Sequence, residues 1–224
     1  PVDRPRPTQA TYRGDVVSAD VDQGTHARLL ELAHEERVTF FMLMHAAVAL
    51  LLHTLGAGDD ISIGAPSAGR NDDTLEPLIG FFVNMLTLRT DLSGNPTFRE
   101  MLGRVRGADL EAYSHADLPF DRVVEIVKPS RTTSHHPLFQ VMLVLNRADE
   151  ESVRMHDLAV TSLDANSDTA KFDLTFHVGE KRNAVGTAGG LELHVEYAVD
   201  LFERATAEAF MTRLVPEVSP RFPL

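Results

Sequence analysis

The sequence predicts an α/β domain in which a mixed β-sheet is covered by helices. Three observations predict it. Residues 23–55 carry helical periodicity, with Leu29, Leu30 and Ala33 on one side and Glu31, Glu35 and Glu36 on the other. Short apolar stretches bounded by turn residues, 61–65 and 82–88, interleave with helical ones. The last third alternates with a period of two. Phe172, Leu174, Phe176 and Val178 are separated by Asp173, Thr175, His177 and Gly179. Leu191, Leu193, Val195 and Tyr197 are separated by Glu192, His194, Glu196 and Ala198.

The elements follow in order. Three prolines in residues 1–7 prevent a helix and predict an extended linker. A strand is predicted over 16–21. The helical stretch that follows breaks near Arg37, and its second part, 39–52, is apolar nearly all round and therefore predicted to be buried. Gly56 and Gly58 end it. After the strand 61–65 and a loop 66–73, the strand 82–88 is apolar on both faces, which predicts a central place in the sheet. Asn95-Pro96-Thr97 forms a turn and N-cap before a helix over 98–114. Pro119 starts a short helix that Pro129 ends. Strands are predicted over 139–145, 158–163, 172–178 and 191–198, with Gly186, Gly189 and Gly190 linking the last two, and a helix closes the domain over 204–214.

The chain has 224 residues, 43% of them hydrophobic, enough for one domain with a substantial core. The formal net charge is −12, from 33 acidic and 21 basic residues, and no basic run exists. That argues against a nucleic-acid partner. With no cysteine, disulfides, thiol nucleophiles and Cys-based zinc sites are excluded, and a reducing, cytoplasmic setting fits. The apolar run 38–52 is shorter than the about 20 residues needed to span a bilayer. No signal peptide is seen, and a start at Pro1 suggests that the chain was cut from a longer one.

No motif for independent catalysis stands out. Residues 63–70 (IGAPSAGR) lack the lysine and spacing of a phosphate loop, so no nucleotide is expected, and Ser67 is not in a Gly-x-Ser-x-Gly elbow. No His-Glu-x-x-His exists, and no metal is expected; His45 and His53 are read as packed or capping residues. The one adjacent pair, His135-His136, is followed by Pro137, which restricts His136 to extended or turn geometry; the pair is structural or pocket-lining. On residues alone Arg70 is a solvated loop arginine. Asn84, a lone amide in an apolar strand, is either a structural amide satisfied by backbone or a residue lining a cavity. His115 and Asp117 are read as a helix C-cap and as a cap of the next helix.

Three blocks in order change this reading: residues 79–89 (IGFFVNMLTLR), 115–121 (HADLPFD) and 131–138 (RTTSHHPL). Together they resemble the C-terminal half of a condensation domain of nonribosomal peptide synthetases, and the likeness extends from Pro1 to about Phe210. The opening 3–7 (DRPRP) resembles the segment joining the two lobes, and 63–70 resembles a Gly-x-Pro-x-x-Gly-Arg loop. The first block matches Ile-Gly-x-Phe-Val-Asn-Thr with Met85 for Thr, through Gly80, Phe82 and Asn84. The second matches His-x-Asp-x-Pro-Phe-Glu with Asp121 for Glu, through His115, Asp117, Pro119 and Phe120. The third matches Arg-Asp-x-Ser-Arg-Asn-Pro-Leu in part: Arg131, Ser134, Pro137 and Leu138 agree, while Thr132, His135 and His136 depart. Residues 171–174 and 197–202 also look like late elements of this lobe.

The resemblance implies one lobe of a chloramphenicol acetyltransferase-like two-lobe fold, with 1–14 as the inter-lobe segment, 15–214 as the C-terminal lobe and 215–224 as a Pro-rich tail. That tail is a cloning remnant, a linker or a true divergence. The active site is implied to lie in a tunnel between lobes, where the amine of an acceptor aminoacyl thioester attacks a donor acyl or peptidyl thioester. The catalytic His-His-x-x-x-Asp-Gly motif belongs to the other lobe and does not occur in these residues. No catalytic residue is therefore expected here, and the isolated chain is expected to be inactive. Arg70 is implied as the structural partner of that motif's aspartate, and Asn84, Ser134 and His136 as tunnel residues. No cofactor is implied to bind directly, since substrates ride on the phosphopantetheine of carrier proteins. Implied partners are the N-terminal lobe, the donor and acceptor peptidyl carrier proteins and a neighbouring adenylation domain. Two alternatives are a non-catalytic carrier-protein docking lobe and a lobe of another acyltransferase of the same superfamily.

Overall fold

The computed structural model describes residues 1–70, 72–130, 132–148, 154–155, 158–159, 168–183 and 186–217. Among them, β1 (Gly14–Val21), β2 (Asp60–Ser67), β3 (Asn84–Asp91), β4 (Val141–Ala148), β7 (Leu174–Arg182) and β8 (Ala188–Ala198) form one sheet in the order β1-β8-β7-β4-β2-β3. The sheet is mixed. β4 pairs parallel with both β2 and β7, and the other neighbours are antiparallel. Separately, β5 (Arg154–Met155) and β6 (Leu158–Ala159) pair antiparallel; the remainder of the strand predicted over 158–163 lies outside the described residues.

The helices are α1 (Gln23–Glu35), α2 (Phe40–Thr54), α3 (Phe98–Ser114), α4 (Phe120–Val127) and α5 (Arg204–Glu217). Local chemistry sets their ends. Asp22 and Thr39 cap α1 and α2 by accepting from Thr25 and Met42 N–H, and Thr97 and Glu100 form a reciprocal capping box on α3. Arg37, with φ +56°, breaks the chain where α1 turns into α2 at 101°. Lys128, left-handed at φ 48°, stops α4 ahead of Pro129. No single helix among the described residues is long and apolar enough to cross a membrane.

Helix α2 is buried over Met42–Ala49 and at Leu51. Its side chains pack with Val17, Phe176, Leu193, Val195 and Tyr197 of the sheet and with Leu201, Phe210 and Leu214 toward the C-terminus. The opposite face of the sheet carries Ser18, Thr175, His177, His194 and Glu196, the alternate residues of the same strands. His45 is fully buried: its Nδ1 pairs with Asp109 Oδ1 at 2.9 Å, and its Nε2 lies 3.5 Å from Thr90 Oγ1. His53 reaches the Gly58 carbonyl at 3.0 Å, just past the end of α2.

Three expectations need correction. The strand predicted as central is β3, at the edge of the sheet. Only Leu86, Leu88 and Thr90 are buried, against α3, whereas Met85 and Thr87 on the other side are half-buried. The two-sided apolar pattern there arose from Phe81, Phe82 and Val83, which precede the strand. Phe172 and Asp173 likewise precede β7 and belong to a loop. Finally, α5 runs on through Pro216 to Glu217, so the backbone of the tail's first three residues is helical, and 218–224 lies outside the described residues.

Candidate functional site

The first two sequence blocks are joined by one side chain. Asn84 Nδ2 donates to the carbonyls of Ala116 and Leu118, each at 2.9 Å, and Asn84 Oδ1 accepts from Phe120 N–H at 3.0 Å. Asn84 is therefore the amide satisfied by backbone. It also contributes to capping α4. The N-cap of α4 is Pro119, which offers no side-chain bond, and the first helical N–H is met by Asn84. His115 is exposed at the C-cap of α3, and its carbonyl accepts from Leu118 N–H at 3.0 Å.

Arg70, half-buried, turns back on its own loop. Nη1 donates to the carbonyls of Leu75 and Glu76, Nη2 donates to that of Leu78 at 2.9 Å, and the guanidinium lies 4.3 Å from the centre of the Phe82 ring. Gly80 packs under the same ring, where an added Cβ would come within 2.9 Å of Phe82 Cε2. Arg70, Gly80 and Phe82 form one unit that does not line the pocket described next.

That pocket, of about 230 Å³, lies where the opening segment crosses the ends of β4, β7 and β8. Arg6 holds it together: Nη1 donates to Asp173 Oδ1 at 2.8 Å and to the Ser134 carbonyl at 3.1 Å, and Nη2 pairs with the other Asp173 oxygen. Ser134, His136 and Pro137 all line it. The His136 ring packs against Phe139 at 4.2 Å, Phe120 at 5.1 Å and Phe172 at 5.2 Å. Its carbonyl accepts from Gln140 Nε2 at 3.0 Å, while its Nδ1 is buried with no hydrogen-bond partner among the described residues. Burial lowers the His136 pKa below its ordinary 6.5, helped by neighbouring His135 and opposed by the Phe139 backbone. The neutral ring is thus favoured in the fold. The pocket combines the charged side chains of Arg6, Lys171, Asp173 and Asp200 with the His136 imidazole, the Ser134 hydroxyl and the Gln140 amide, and Tyr12 and Phe172 add aromatic surface.

A depressed histidine pKa means that the unfolded chain binds the proton first. The contribution of His136 to stability is whole above pH 6.5 and is lost as pH falls below it toward the folded value. We expect His136→Asn to reduce, without abolishing, the loss of denaturation midpoint between neutral pH and about pH 5, since His26 and His177 are lowered by burial too. An unchanged slope in urea titrations would refute this.

The structure thus brings together Asn84, Phe120 and His136 through Phe120, and Ser134, His136 and Pro137 through the pocket, leaving Arg70 apart. Sequence reasoning missed Arg6 and Asp173 as a pair, Gln140, and Gly64. An added Cβ on Gly64 would lie 2.1 Å from the Phe139 ring, so only glycine lets that ring lie on β2.

A family model for the condensation domain matches residues 1–218. The chain belongs to the condensation-domain family. Among curated relatives, the dimodular nonribosomal peptide synthase of Bacillus subtilis (strain 168) is 47% identical over 216 residues, covering 96% of this chain and 9% of that protein. The isonitrile lipopeptide synthase of Mycobacterium tuberculosis (strain ATCC 25618 / H37Rv) is 37% identical over 214 residues, covering 96% of this chain and 8% of that protein. Among solved structures, the X-domain from teicoplanin biosynthesis superposes with a TM-score of 0.90 at 35% identity, over 97% of this chain and 49% of that one. A complex of the X-domain and OxyB gives 0.86 at 36%, covering 97% and 47%. This condensation-domain chain therefore spans about half of those structures and a small part of the curated relatives.

Proposed function

We propose that the chain is the C-terminal lobe of a nonribosomal peptide synthetase condensation domain, with 1–14 as its inter-lobe segment and 15–214 as the lobe. The supporting observation is the match of nearly the whole chain to about half of solved relatives, in a sequence without His-His-x-x-x-Asp-Gly. The complete domain would work in the cytoplasm on substrates tethered to phosphopantetheine arms of donor and acceptor peptidyl carrier proteins, beside an adenylation domain. The acceptor amine nitrogen attacks the donor thioester carbonyl; the C–N bond forms, the C–S bond breaks, the thiol leaves on the donor arm and the amine gives up its proton. The base belongs to the N-terminal lobe. This lobe supplies the wall: Ser134 and His136 orient the acceptor, and Asn84 holds Phe120 against His136.

The test is reconstitution. The chain is mixed with the N-terminal lobe and loaded donor and acceptor carriers, and product is read by mass spectrometry. Amide is expected only when both lobes are present. Product from the chain alone, or none from a lobe pair that demonstrably binds, would sink the proposal. One observation favours a second reading, a docking lobe without catalysis: a similar solved structure is a complex of an X-domain with OxyB. On that reading the lobes bind and no amide forms.

A further inference from the structure

We infer that Arg70 is a positioning residue within its own lobe: it clamps residues 75–83 into a preformed apolar prong. Between β2 and β3 the chain has little backbone structure of its own. One 3-10 turn, Asp73–Leu75, is followed by hydrogen bonds from Leu75, Glu76 and Leu78 N–H to Asp72, Asp73 and Leu75 carbonyls. The Leu75 carbonyl thus already accepts from Leu78 N–H, and the Arg70 guanidinium donates both to it and to the carbonyls of Glu76 and Leu78. Its flat face covers the Phe82 ring, so one planar group ties both ends of the loop. Gly69 permits the approach: it has φ +65°, and an added Cβ would fall 1.9 Å from the Phe82 carbonyl oxygen.

The clamped loop holds apolar side chains in water. Ile79 and Phe81 are 104% and 90% exposed, and Leu78 and Val83 flank them at 49% and 46%. Holding them in one geometry before contact lowers the ordering cost of whatever they meet. Identifying that surface as the N-terminal lobe rests on the reading above; the clamp does not. The clamp is a separate role from the one implied by resemblance, a cation paired with a carboxylate across the lobes, and does not depend on it. A lysine could serve as a point charge toward a carboxylate, but it cannot reach three carbonyls and stack flat on a ring.

The experiment uses the 224-residue chain alone, so its outcome is independent of any second lobe. Hydrogen exchange is followed at Leu75, Glu76 and Leu78 amides, with chymotryptic cleavage after Phe81 as a second readout. Arg70→Gln and Arg70→Lys should both accelerate local exchange and cleavage about tenfold or more, with protection in β4, β7 and β8 unchanged. Phe82→Leu, which keeps bulk but removes the ring, should give a smaller acceleration in the same window. Wild-type exchange in Arg70→Lys would overturn the proposal, because charge alone would then suffice. So would wild-type exchange in Phe82→Leu, or acceleration spread evenly over the chain. In the reconstituted lobe pair, Arg70→Lys should raise the concentration of N-terminal lobe needed for half-maximal rate more than it lowers the rate at saturation.

Discussion

Asp109→Ala is expected to cost about 3–4 kcal/mol of unfolding free energy, read from urea denaturation. Asp109, His45 and Thr90 are 0%, 0% and 1% exposed, so no water can replace what is removed. The Asp109–His45 bond is the polar tie between α3 and α2, and His45 Nε2 approaches Thr90 on β3. Truncation leaves the imidazole Nδ1 unpaired in an apolar interface and opens a cavity beside it. Asp109→Asn keeps the shape and one acceptor oxygen, so its cost should be about half. A second readout separates charge from packing. Burial, with a further push from the Asp109 carboxylate, raises the Tyr113 hydroxyl to about 12. Its ultraviolet titration should move down in both variants, since both remove the charge. An Asp109→Ala protein as stable as wild type would show that the buried pair contributes no net stability.

The sheet and the helices were legible because they rest on periodicity, which a single sequence carries. The alternation in β7 and β8 and the apolar girth of α2 are properties of neighbouring residues. The place of β3 was not legible, since an edge and a centre differ in which strands come to lie alongside, and that is decided by the parallel pairing of β4 far along the chain. The site divides in the same way. Ser134 and His136 sit in a block of adjacent residues that the sequence singles out, and both line the pocket. The partner that fixes that block is Arg6, 167 positions away from Asp173, and nothing local announces it. Arg70 was singled out by its motif. The motif pointed to a carboxylate in the other lobe, and in this chain the guanidinium lies on the carbonyls of Leu75, Glu76 and Leu78, contacts that no single motif residue announces.

Asn84 gives the other large effect, and its variants are expected to fall in an unusual order. Asn84→Ala removes two donated bonds and one accepted bond, and leaves the first N–H of α4 without the cap that Pro119 cannot supply. A loss of about 2 kcal/mol is expected for a half-buried site of this kind. Asn84→Asp should be worse than Asn84→Ala, although it is the closer isostere. A carboxylate can accept from Phe120 N–H, but its second oxygen would face the carbonyls of Ala116 and Leu118, which now lie 2.9 Å from a donor nitrogen. Lone pair would meet lone pair at a site where the charge is partly desolvated. Protonation turns that oxygen into a donor, so the carboxyl pKa should rise and the deficit of Asn84→Asp should shrink as pH falls; denaturation midpoints at neutral and acidic pH would show it. Equal stability of Asn84→Asp and wild type at neutral pH would refute the assigned amide orientation. The catalytic consequence follows from Phe120, whose ring lies 5.1 Å from His136 and 5.9 Å from Phe139. Releasing its backbone frees the wall against which His136 rests, so in the reconstituted lobes Asn84→Ala should lower the amide-forming rate about tenfold or more under conditions where the lobe is still folded.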